Sequence, residues 1–160
     1  MKSAIFASVA LALGSFGLAA CGDEPAAEAE ASDTAPEGIS VTDGRLILPA
    51  VGGNPGAVYF TVHNDGERDS FIRAASVEGA GSAVLHQSST MNGEPSMDEI
   101  FQTPVPAGSE LKFEPGGLHV MAGGLAETLA AGGNTEVTLT FIGGKTATFP
   151  VEIRAVGDER

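Results

Sequence analysis

The sequence predicts an all-β domain, a Greek-key β-barrel or sandwich, on three observations. Short runs rich in Val, Ile, Leu, Phe and Thr recur over residues 39–153. Clusters of Gly, Pro, Asn and Asp interrupt them at short, even intervals, as turns between strands do. No segment carries amphipathic helix periodicity of any length; residues 125–131 could form about one helical turn.

The elements follow in order. Residues 45–48 are a first apolar run, and residues 57–63 a second, stopped by Asn64-Asp65-Gly66, a strong turn signal. Residues 70–78 and 83–87 read as further strands, His86 closing the latter. Residues 88–93 read as a turn, and Met97 begins or precedes another strand. Residues 110–114 alternate apolar and charged side chains before Pro115-Gly116-Gly117. In residues 136–141, Val137, Leu139 and Phe141 share one face. Gly143-Gly144 then joins residues 145–153 as a closing hairpin.

Ahead of this domain the text is different. Residues 5–20 are apolar and uncharged after Lys2, short for a membrane span but suited to the core of a signal peptide. They end in Leu18-Ala19-Ala20-Cys21, which resembles the bacterial lipobox, whose cysteine receives a lipid after cleavage. Residues 1–20 are therefore expected to be a lipoprotein signal peptide and Cys21 the lipidation site. The chain would face the periplasm from the bacterial cell envelope. The plainer alternative is a secretory peptide cut near Ala20. Residues 21–38 carry Asp23, Glu24, Glu28, Glu30, Asp33 and Glu37 with no basic residue and no large apolar one. Such a segment is a self-repelling tether. The folded domain is expected over residues 39–154, with residues 155–160 as a tail.

Composition excludes several functions. With 21 acidic and 8 basic residues the formal net charge is -13, the wrong sign for nucleic-acid binding. No Gly-x-Ser-x-Gly elbow, phosphate-binding loop or His-Glu-x-x-His occurs, so the chain does not read as an enzyme. Cys21 is the single cysteine, so a lipidated chain keeps no thiol for a disulfide, a nucleophile or a blue-copper site.

What remains is a pattern of His and Met. His86 and Met97 are separated by ten residues, Met97 and His119 by twenty-one, and His119 and Met121 by one. At i and i+2 of a strand, His119 and Met121 point to one face. Thioether sulfur is soft and neutral and favours Cu(I) over Zn(II), Mg(II) or Ca(II). It does not form disulfides in an oxidising compartment. Taken singly, each of these residues has a bland reading, Met as core filler and His as a surface group.

The spacing H-x10-M-x21-H-x-M, with Pro106-Ala107-Gly108 and Pro115-Gly116-Gly117-Leu118 flanking it, resembles the PCu(A)C family of periplasmic copper chaperones over residues 39–153. The resemblance implies a cupredoxin-like β-barrel and a Cu(I) site of His86, Met97, His119 and Met121. It further implies delivery for cytochrome c oxidase assembly. The recipient would be the oxidase subunit with the binuclear copper centre, or a Sco-type thiol protein. Glu94, Asp98 and Glu99 around Met97 depart from the family's usual basic or apolar surroundings and could extend binding to Cu(II). Met91 is a candidate auxiliary ligand or a plain loop methionine; His63 matches no ligand position and reads as a surface residue. Copper storage and a metal-free protein-docking module are the competing functions.

Overall fold

The computed structural model describes residues 34–91 and 93–157. The expected lipidation site Cys21, the expected signal peptide and most of the expected acidic tether lie outside the described residues, as does the side chain of Met91. Within them the chain is all-β, as expected, with ten strands in one mixed sheet. In chain order these are β1 (Ile39–Ile47), β2 (Gly56–Asn64), β3 (Ser70–Val77), β4 (Ser82–Met91) and β5 (Glu94–Glu99). Then come β6 (Thr103–Val105), β7 (Ser109–Phe113), β8 (Leu118–Gly123), β9 (Asn134–Phe141) and β10 (Thr146–Arg154). The sheet order is β5-β4-β8-β7-β2-β1-β10-β9-β3-β6, with β8 also reaching β2. Most pairs are antiparallel; β1–β10 and β7–β8 are parallel. Strand β3 lies against β4, and β6 against β2 and β7, so the sheet wraps around one core.

That core comes from the strict alternation of apolar side chains along each strand. Val58, Phe60 and Val62 of β2 point inward, as do Val137, Leu139 and Phe141 of β9 and Phe149, Val151 and Ile153 of β10. Phe60 stacks on Phe113 with ring centroids 4.2 Å apart and tilts against Phe149 at 5.1 Å. Offset and tilted ring pairs of this kind add to the gain from burial alone.

Breaks in the pattern have local causes. Strand β1 carries a bulge between Thr42 and Arg45, where Asp43 adopts φ 58°. The ladder from β1 to β10 starts only at Arg45↔Glu152, so Pro150 stands beside the bulge and no β1 partner loses a hydrogen bond there. Residues 125–131, expected to supply a helical turn, contain one hydrogen-bonded turn, Leu129 N–H to the Ala126 carbonyl at 3.0 Å, and no helix. Residues 34–38 already dock on the domain. Thr146 N–H donates to the Thr34 carbonyl at 3.1 Å, and Ala35 packs against the core.

Two expectations are corrected. Residues 88–91 are not a turn: β4 runs on through them to Met91, and β5 starts at Glu94, just after Gly93 with φ 84°. His86 therefore sits in mid-strand. The hydrogen-bond ladder with β5, from His86↔Glu99 to Met91↔Glu94, holds this Ser/Thr segment extended despite its weak intrinsic preference.

Candidate metal centre

Three neighbouring strands, β5, β4 and β8, bring the His and Met residues together. In β8, Val120 and Ala122 turn into the core, so His119 and Met121 take the outer face. In β4, Leu85 turns inward and His86 outward. The register places His86 directly opposite His119, and their ring centroids are 5.8 Å apart. Met121 lies opposite Val84 and Met97 opposite Ser88, each two residues from His86 along β4 and on its face. Such diagonal positions are about 7–8 Å apart, within reach of long side chains. The two methionines thus flank His86 from opposite sides, Met97 on the β5 edge and Met121 toward β2, opposite Ala57.

The two imidazoles stand in different surroundings. His119 lies on the outer face yet is only 4% exposed. Its Nδ1 is 3.1 Å from the Gly117 carbonyl. A carbonyl can only accept, so Nδ1 is the N–H donor and the Nε2 lone pair is available to a metal. The Tyr59 ring tilts against it at 6.4 Å, with the Arg45 guanidinium 5.2 Å from the centre of that ring. His86 Nδ1 is buried and has no hydrogen-bond partner among the described residues. A buried nitrogen left so costs about 1–3 kcal/mol, which a bound ion would recover. Met97 is 51% exposed, so one donor is open to solvent. Among the described residues no three His, Cys, Asp or Glu side chains gather closely enough to hold a metal by themselves. With the side chains as they stand, a soft ion on this face would draw on the thioethers.

The remaining candidates lie apart. Met91 ends β4, paired with Glu94. His63, in β2, has Nε2 3.0 Å from the Thr42 hydroxyl and Nδ1 3.7 Å from Glu110, away from the other histidines. Lys112, 3.0 Å from Glu110, holds that carboxyl below its usual range by hydrogen bond and charge, and its own ammonium is raised in turn. The pair is exposed and screened by water. Two participants around the centre escape sequence reasoning, the Gly117 carbonyl and the Tyr59 ring; Glu99 stands out in the sequence as an acidic neighbour of Met97, but only the register puts it opposite His86. Only Tyr59 offered a signal, as the one tyrosine of the chain.

A family profile described as "Putative lipoprotein LpqE-like" matches residues 39–153. The chain belongs to the LpqE-like family. A relative from Leifsonia xyli subsp. xyli, "Putative lipoprotein Lxx21020", is 32% identical over 139 residues, 86% of this chain and 82% of that protein. Among solved structures, the apo PCuAC domain from PmoF1 matches with a TM-score of 0.64 at 26% identity, over 79% of this chain and 99% of that one. The copper-bound PCuAC domain from PmoF2 matches with a TM-score of 0.60 at 20% identity, over 74% and 93%. The CuI form of DR1885 from Deinococcus radiodurans matches at 0.55 and 22%, over 78% and 80%. The LpqE-like domain thus has the PCuAC fold, as the motif spacing led one to expect.

Proposed function

We propose that this LpqE-like lipoprotein binds one Cu(I) through His86, Met97, His119 and Met121 and hands it to another protein. The reading rests chiefly on one observation: two imidazoles face each other across β4 and β8, and one of their nitrogens is buried without a partner. Two neutral nitrogens and two neutral sulfurs suit a soft monovalent ion. The net charge of -13 favours a cation on the surface. The likeness to a copper-bound PCuAC domain points the same way.

Delivery fits the same chemistry. Thiolates are softer and stronger donors than thioethers, so copper passes downhill from this site to a thiol-bearing recipient. The exposed Met97 gives that recipient a place to enter. The recipients in view are the cytochrome c oxidase subunit with the binuclear copper centre and a Sco-type thiol protein. Lipid on Cys21, with residues 22–33 as tether, would keep the domain at the envelope membrane.

The full chain is titrated with Cu(I) against a chromogenic chelator. One equivalent is expected to bind. Met121→Leu keeps the volume of the side chain and removes the sulfur. It is expected to lower Cu(I) affinity about tenfold or more, with the thermal midpoint unchanged. No uptake by the wild type overturns the reading and leaves a docking module. Loss of fold with unchanged uptake removes Met121 from the ligand set.

A further inference from the structure

Glu99 stands in a position that the Cu(I) reading does not use. It is the direct cross-strand partner of His86, and His86 is the direct partner of His119. Glu99, His86 and His119 therefore form one row across β5, β4 and β8. Side chains of such a row leave on the same face, with Cβ atoms about 4.5–5.5 Å apart between neighbours. Met97, two residues before Glu99, shares that face. Strand β5 thus offers this face a soft donor at 97 and a hard one at 99.

The carboxylate is also uncommitted. The Asp98 carboxylate accepts a hydrogen bond from Ser96 at 3.3 Å, but the Glu99 carboxylate has neither a hydrogen bond nor an ion pair among the described residues. No Lys or Arg occurs between Arg73 and Lys112, so the hairpin holds no cation to neutralise it. Glu99 is exposed and stands off the imidazoles in this conformation. Rotamer changes of an exposed side chain take only picoseconds to nanoseconds, so the carboxylate is free to turn on this face, where its cross-strand neighbour is His86. Beside it lies the Nδ1 of His86, buried and without a partner among the described residues, which marks this row as a place for a ligand.

Resting on the proposed copper site, we infer that Glu99 is a carboxylate ligand for Cu(II), so that one face serves both oxidation states. Cu(I) draws on the thioethers of Met97 and Met121. Cu(II), a harder ion that prefers nitrogen and oxygen, draws on His86, His119 and the Glu99 carboxylate. The competing role for Glu99 is a charge that keeps the β5 edge from pairing with other chains.

The test uses the full chain loaded with Cu(II), read by electron paramagnetic resonance and by competition with glycine. Parallel Cu(I) titrations are run on the same proteins. Glu99→Gln is expected to change the Cu(II) hyperfine pattern and lower Cu(II) affinity about tenfold or more, while Cu(I) affinity stays within about twofold. Asp98→Asn removes the same charge from the neighbouring residue, which the register pairs with Gln87 on the other face. It is expected to leave the Cu(II) spectrum unchanged. A wild-type chain that binds Cu(I) but not Cu(II), or a Glu99→Gln spectrum identical to wild type, overturns the inference alone. Equal losses in Glu99→Gln and Asp98→Asn overturn it too, in favour of a general field effect. A wild type that binds no Cu(I) overturns the proposed function instead.

Discussion

His86→Leu is expected to lower Cu(I) affinity by more than about 100-fold while leaving the metal-free protein at least as stable as the wild type. The first half follows from position. His86 is the one residue adjacent to all the other donors, directly opposite His119 and diagonal to both Met97 and Met121. Partners that merely orient metal ligands are worth about 10–100-fold in affinity, so a central ligand is worth more. The second half follows from the unpartnered nitrogen. His86 Nδ1 is buried without a hydrogen bond, a cost of about 1–3 kcal/mol carried by the apo protein. Leucine removes that polar atom and keeps apolar bulk beside Val84, Ser88 and the His119 ring. Chelator competition measures the affinity, and denaturant unfolding of the metal-free chains measures the stability. A variant much less stable than wild type makes His86 a packing residue. A stable variant with unchanged copper uptake removes it from the site. Opposed effects on binding and stability are the mark of a residue kept for function.

This centre was legible in part. The spacing of His86, Met97, His119 and Met121 singles out four residues, and alternation in β8 puts the last two on one face. Register is another matter: it is set by pairing between strands distant in sequence, which leaves no local signature. Hence nothing in the sequence announces that Glu99 faces His86, or that the Gly117 carbonyl fixes the His119 ring. Strands with one buried face were readable, as in Val137, Leu139 and Phe141, each at most 1% exposed. Strand β5 was not. It is an edge strand with nearly every side chain exposed, so Glu94-Pro-Ser-Met-Asp-Glu carries no apolar alternation, and Pro95 reads as a breaker. Strand β6 is three residues with a proline in the middle. The Ser/Thr end of β4 looked like a turn because its extended form depends on β5. The strand read least well is thus the one that carries Met97 and Glu99.

Asn64→Ala is expected to destabilise the domain by about 3 kcal/mol and lower the thermal midpoint by about 10 °C, without altering Cu(I) affinity in the folded protein. The sequence marks Asn64 as the start of a turn, but its side chain does more than turn the chain. It is fully buried. Its amide donates to the carbonyls of Arg68 at 2.9 Å and Val105 at 2.8 Å, while its Oδ1 accepts from Gly66 N–H at 3.1 Å. One side chain therefore ties the loop after β2 to the end of β6. The same corner is closed by Asp65 N–H to the Gly38 carbonyl at 2.8 Å, and at Gly38, with φ 79°, an added Cβ would strike the Gly66 backbone. Alanine takes from the Val105 carbonyl a donor that it meets in a buried setting, and the other two groups must find water. Asn64→Asp keeps the bond from Gly66 but sets a carboxylate against two carbonyls, so it is expected to be at least as destabilising. Copper binding stays intact because the site lies at the opposite end of the same strand: β2 meets β8 at Gly56–Val58, and Asn64 ends it. Thermal and denaturant unfolding, with copper titration well below the midpoint, separate the two effects. An Asn64→Ala chain within about 0.5 kcal/mol of wild type would mean that water replaces all three bonds and the corner holds without its staple.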